Sequence, residues 1–153
     1  MSRTSPSAPA SYRERLWPTP WLFVALLLII PAVALVVTPM STGLALPLGI
    51  ALYVLIAGSL TLMSPTIAVE DGVLVAGRAR IPVAMLGTAV ALDSEELRAA
   101  IGPGLDARAH LMVRGYIHRG AKVEVVDPAD PAPYWVVTTR RPQSLLAAIE
   151  AAR

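Results

Sequence analysis

Trp21-Leu22-Phe23-Val24-Ala25-Leu26-Leu27-Leu28-Ile29-Ile30-Pro31-Ala32-Val33-Ala34-Leu35-Val36-Val37 and Leu44-Ala45-Leu46-Pro47-Leu48-Gly49-Ile50-Ala51-Leu52-Tyr53-Val54-Leu55-Ile56-Ala57-Gly58-Ser59-Leu60-Thr61-Leu62-Met63 are the two runs on which the fold turns. They lie within residues 16–69, 54 consecutive positions without a formal charge, far more than a buried strand or core helix requires. A hydrocarbon layer about 30 Å thick needs roughly 20 apolar residues at about 1.5 Å of rise each. The link Thr38-Pro39-Met40-Ser41-Thr42-Gly43 is rich in turn formers and too short to hold a domain. Two transmembrane helices in an antiparallel hairpin are therefore predicted over residues 17–65.

Inside the first run, Pro31 removes a backbone donor and crowds the preceding turn, which predicts a kink. Ala45 and Gly49 form a small-xxx-small pair that suits close packing of the second helix on the first. Tyr53, Ser59 and Thr61 are the notable polar groups of the second run, and bonding within the helix accounts for them. Trp17 and Trp21 stand where polar chain meets apolar run, as membrane-interface anchors do. Ala32-Val33-Ala34 has the form of a signal-peptide processing site, but the run before it exceeds the usual length and a second run follows directly.

Charge distribution orients the hairpin. The chain carries 13 Lys and Arg against 11 Asp and Glu, a net charge of +2. All of the excess sits in the basic tail, residues 1–16, because residues 66–153 hold ten basic and ten acidic side chains. Arg13 and Arg15 precede the first run, the link has no Lys or Arg, and Arg78 and Arg80 follow the second. The positive-inside rule then predicts a multi-pass plasma-membrane protein with both termini in the cytoplasm. A nucleic-acid partner is not expected, since the one sizeable polar segment lacks a net basic surface. The absence of cysteine excludes disulfides, thiolate nucleophiles and cysteine metal sites.

Residues 66–153 alternate with a period of two and predict a small β-rich α+β cytoplasmic domain. Thr66–Val69 and Val73–Ala76 flank Glu70-Asp71-Gly72, a hairpin turn in which Gly takes positive φ. Ile81–Leu92 reads as an edge strand followed by another across Gly87. Asp93-Ser94-Glu95-Glu96 offers an N-cap with an acidic first turn, and Gly102-Pro103 a stop. Leu111, Val113 and Ile117 alternate with His110, Met112, Arg114, Tyr116 and His118 in the next predicted strand. Val123 and Val125 oppose Lys122 and Glu124, and a proline-rich loop, residues 127–133, leads to a last strand at Tyr134–Thr139. From Pro142 a terminal helix buries Leu145, Leu146, Ile149 and Ala152. Antiparallel strands closed by such a helix outline a pleckstrin-homology-like barrel; an α+β sandwich gives similar spacing.

Two stretches carry a family resemblance: Tyr12-Arg13-Glu14-Arg15-Leu16-Trp17, and Val123 through Pro142, with Asp127-Pro128-Ala129-Asp130-Pro131-Ala132-Pro133-Tyr134-Trp135 at its centre. The chain resembles an uncharacterised actinobacterial membrane-protein family, domain of unknown function 3093. That family favours Ser where Thr138 stands, and the hydroxyl is kept. The resemblance implies two spans with a small cytoplasmic domain and carries over no catalytic residues.

Candidate sites are few. His110, Arg114, Tyr116 and His118 would share one strand face, as a proton-handling patch or simply as a solvated face. Asp127 and Asp130 have the spacing of cation ligands, but their prolines favour local turns. Arg140 and Arg141 precede a helix N-terminus and, with Arg78, Arg80 and Arg119, form a candidate contact for an anion or lipid head group. Tyr134 and Trp135 point to opposite faces, so one is expected in the core and the other as a partner contact. No P-loop, Gly-x-Ser-x-Gly or Gly-x-Gly-x-x-Gly pattern is present, and no catalytic, cofactor or metal residue is assigned. The expectation is a non-enzymatic, membrane-anchored protein-interaction module in contact with membrane lipids and a protein partner. An anionic-lipid or small-anion sensor and an accessory subunit of a membrane enzyme or transporter are the alternatives.

Overall fold

The computed structural model describes residues 12–153. They form two compact units, one of Trp17–Ser64 and one in which the segment ending at Leu16 joins Pro65–Arg153.

The apolar unit contains α1 (Pro20–Leu26), α2 (Ile29–Val37) and α3 (Thr42–Leu62). Pro20 opens α1, where its missing N–H costs nothing. The distortion expected from Pro31 lies in the turn before it. The Leu28 N–H bonds to the Ala25 carbonyl at 3.2 Å and the Ile30 N–H to that of Leu27 at 3.1 Å, three residues back rather than four. The ring at Pro31 denies Leu27 its usual partner, and the backbone answers by tightening between α1 and α2.

Ala45 and Gly49 are the buried residues of α3. A Cβ at Gly49 would stand 2.9 Å from the Ile30 carbonyl oxygen, so α3 rests directly on the backbone of α2. The hydroxyls of Ser59 and Thr61 each donate to a carbonyl four residues back, Leu55 and Ala57, at 2.8 Å. Most other side chains face outward, among them Leu28, Leu35 and Leu62, and Trp17 and Trp21 are exposed. Pro20–Val37, with 18 residues, and Thr42–Leu62, with 21, are long and apolar enough to cross a membrane.

The second unit is an α+β fold of two four-stranded sheets. The first sheet has the order β1 (Tyr12–Arg15), β2 (Thr66–Glu70), β3 (Val73–Ala76), β4 (Ala79–Pro82), all antiparallel. Asp71 and Gly72 both adopt positive φ, 52° and 72°, as the two-residue β2–β3 turn requires. Pro82 ends the edge strand β4, where a missing donor breaks no ladder.

A short 3-10 turn at Val83–Met85 then leads into the second sheet, ordered β5 (Leu86–Leu92), β7 (Gly120–Val125), β8 (Tyr134–Thr138), β6 (His110–Met112). The register with β7 shifts between Leu86 and Ala89, around Gly87. Helix α4 (Ser94–Ile101) carries the expected N-cap as a full capping box: Asp93 Oδ1 accepts from the Glu95 and Glu96 amides, and Glu96 Oε2 from the Asp93 amide, all at 2.9 Å. Helix α5 (Pro142–Ala151) buries Leu145, Ala148 and Ile149 against β5 and β7 of one sheet and β1 and β2 of the other.

Four expectations are corrected. Residues 12–15 are not part of a free tail; they are strand β1, with Arg13 and Arg15 outward and Tyr12 and Glu14 half-buried. The strands, arranged in two sheets, are not all antiparallel: β6 pairs with β8 in parallel. The strand predicted from His110 to His118 ends at Met112, and its faces are reversed. Leu111 points to solvent at 40% exposure, while Met112 packs on the core and His110 lies against Trp135 with ring centroids 4.6 Å apart. Lastly, Trp135, grouped with Tyr134 as a candidate partner contact, is the core member of that pair, 4% exposed.

Candidate functional site

Strand β8 delivers two fully buried threonines to its end. Thr138 Oγ1 accepts from the Arg114 amide at 3.0 Å and donates to the Met112 carbonyl at 3.3 Å, holding the chain that leaves β6. Thr139 points toward β1, where its hydroxyl donates to the Glu14 carboxylate and accepts from the Arg141 amide at 3.0 Å. The same carboxylate accepts from the Tyr12 hydroxyl at 2.6 Å and from the Arg140 amide at 3.1 Å. A buried threonine, a half-buried tyrosine and one carboxylate thus fix the backbone at Arg140 and Arg141. Burial, and then the Glu14 carboxylate accepting its proton, push the Tyr12 phenol up to about 12, against a smaller opposing effect of Thr139 and Arg141.

The Thr139 amide also donates to the Arg119 carbonyl at 3.0 Å, drawing the segment before β7 alongside. Arg119, Arg140 and Arg141 consequently line one open cleft of about 490 Å³, with Leu92, Asp93, Glu96, Pro142, Gln143 and Ser144 completing its walls. A smaller cleft of about 260 Å³ adjoins it, lined by Tyr116, Ile117, His118, Arg119 and Arg140. Three of the five arginines grouped from sequence come together here. Arg78, in the β3–β4 turn, and Arg80, on β4, line neither cleft.

The other candidates are dispersed. His110 stacks on Trp135, Tyr116 donates to the Leu16 carbonyl at 2.9 Å, and Arg114 lines a separate hollow beside α4 with His118. The turn at Gly115-Tyr116 separates residues that a continuous strand would have aligned. Asp127 and Asp130 each accept a backbone bond at 2.8 Å, from Ala129 and Ala132, the local turns expected of them. Among the described residues no three His, Asp or Glu side chains converge as metal ligands.

Tyr134 is half-buried on the face of β8 opposite Trp135. Its hydroxyl accepts from the Asp106 amide at 2.8 Å and donates to the Gly104 carbonyl at 3.3 Å, and the Lys122 ammonium sits 4.1 Å above its ring. It forms one end of a groove of about 390 Å³ with Thr88, Val90, Lys122, Glu124 and Pro133, along the edge strand β5.

Sequence reasoning missed Tyr12 and Glu14 as site residues. The polar alternation from Tyr12 to Arg15 was visible, but only the pairing of β1 with β2 brings it to β8 and α5.

A family model described as protein of unknown function (DUF3093) matches residues 11–149. No curated protein and no solved structure matches the chain.

Proposed function

This chain belongs to the DUF3093 family of proteins of unknown function, and on that premise we propose that it is a membrane-anchored, non-enzymatic interaction module of the plasma membrane. The apolar helices cross the bilayer twice with both termini cytoplasmic, Trp17 and Trp21 sit at the interface, and the β-rich unit binds a protein partner along β5 and its groove. We read that unit as a pleckstrin-homology-like variant: two sheets and a C-terminal helix support this, and the parallel β6–β8 pair sets it apart.

One observation carries the reading. Arg15 pairs with Thr66, and the Leu16 amide donates to the Pro65 carbonyl at 2.9 Å, so the two ends of the apolar stretch meet in one sheet. A chain whose ends must meet crosses a bilayer an even number of times, which favours two spans over one span or a cleaved leader. The partner surface is supported by the exposed Val90 on β5, the edge strand of its sheet, beyond the stretch where Arg153 takes the Leu86 and Gly87 carbonyls and Glu124 the Thr88 amide.

The sequence has no cysteine, so single-cysteine labelling is clean. In intact cells an impermeant thiol reagent is expected to label Met40→Cys and to reach Glu150→Cys only after lysis; labelling of both, or the reverse order, sinks the topology. Full-length protein gently purified from native membranes is expected to retain a stoichiometric partner that Val90→Asp loses. A partner retained equally by Val90→Asp argues against the β5 surface.

A further inference from the structure

We infer that the cleft between α4 and α5 is a binding site for a single phosphate group, held by Arg119 and Arg141 with Arg140 beside them. The inference goes beyond the anchored-module reading and does not depend on it. Two separate segments, one before β7 and one between β8 and α5, bring three guanidinium-bearing residues to one cleft wall. Among the described residues the side chains of Arg119 and Arg141 enter no ion pair or hydrogen bond. The acidic residues across the cleft have other work: Asp93 and Glu96 are tied into the capping box of α4.

Arg141 stands at the N-cap of α5, where a capping oxygen is usual, and no side chain caps that helix. At the positive end of that helix the Glu14 carboxylate already accepts from the Arg140 amide, but it does not line the cleft, where three arginines stand together. An oxyanion in the cleft answers both the helix end and the guanidinium charges. Guanidinium forks match phosphate oxygens in geometry as well as charge. Against three arginines stand two carboxylates, so the walls suit a group of one or two negative charges, while a polyphosphate meets Asp93 and Glu96. The phosphate can belong to a lipid head group or to a soluble phosphate compound.

The test uses the full chain in phosphatidylcholine nanodiscs, with thermal stability followed against inorganic phosphate at constant ionic strength. A saturable rise is expected. Arg119→Gln with Arg141→Gln should weaken it by roughly ten- to a hundredfold, whereas Arg78→Gln with Arg80→Gln, an equal change in net charge on the other sheet, should leave it intact. Both pairs are exposed, and the transition without phosphate reports that each variant folds. In wild type, phosphate should act at lower concentration than tripolyphosphate, a reading that needs no variant. If discs containing phosphatidic acid suppress the phosphate response, a lipid phosphate fills the cleft; if the response persists there, the ligand is soluble, and either result upholds the site. No saturable response, an equal loss in both double variants, or tighter binding of tripolyphosphate overturns it.

Discussion

Tyr12 donates its proton to Glu14 from a half-buried position, and its phenol titrates near 12 instead of the ordinary 10. Because the folded value is the higher one, the stability this group contributes is complete below pH 10 and is lost as pH rises toward 12. Unfolding measured against pH should therefore show an alkaline decline between about 10 and 12 that is smaller in Tyr12→Phe. An identical decline in both proteins would assign it to other groups. At this scale the arginines were legible and their neighbours were not. Arg140 and Arg141 precede a proline that starts a helix, a local signal. Glu14 reaches Thr139 only through the pairing of Tyr12 with Val69, and nothing within a short window of sequence encodes a strand partner so far away.

Elements whose cause is local were read correctly from sequence. The Asp71-Gly72 turn and the Asp93 N-cap each follow from the stereochemistry of a few adjacent residues. Strand β6 was misread because alternation states that two faces differ without stating which is inward. Parallel pairing with β8 turned Leu111 out and let the His110 ring cover Trp135. The small-residue pair in α3 has a measurable consequence. Gly49→Val places side-chain atoms against the Ile30 backbone, 2.9 Å from where its Cβ would stand, and should destabilise the helical hairpin by about 1–3 kcal/mol. Gly58→Val, at a position with nothing within 4 Å of an added Cβ, should be close to neutral in the same detergent-micelle unfolding experiment. Equal effects would mean that the contact with Ile30 is not tight.

At the scale of the molecule, linear order misled. Residues 1–16, 17–65 and 66–153 read as tail, hairpin and domain, yet the apolar unit is an insertion within the β-rich one. The arginines of β1 explain the misreading, for they form a solvent-facing strand edge and also look like charges placed beside a membrane span. Since the Leu16 amide and Pro65 carbonyl are 2.9 Å apart, joining residue 16 to residue 65 through a short glycine linker should yield a soluble unit. That chain is expected to unfold cooperatively in circular dichroism, and residues 65–153 alone, lacking β1 and the buried Leu16, should not. Cooperative folding of the shorter fragment would show that β1 is dispensable.

The insertion also sets a timetable. Strand β1 leaves the ribosome about 50 residues ahead of β2, an interval of roughly 3–10 seconds at ordinary rates of synthesis. Throughout that interval its hydrogen-bonding edge has no neighbour, and its only route to one is for the intervening apolar stretch to be made and to bring the chain back. A copy in which Arg15 and Thr66 fail to pair therefore keeps an open β2 edge and leaves Leu16, fully buried in the finished fold, out of the core.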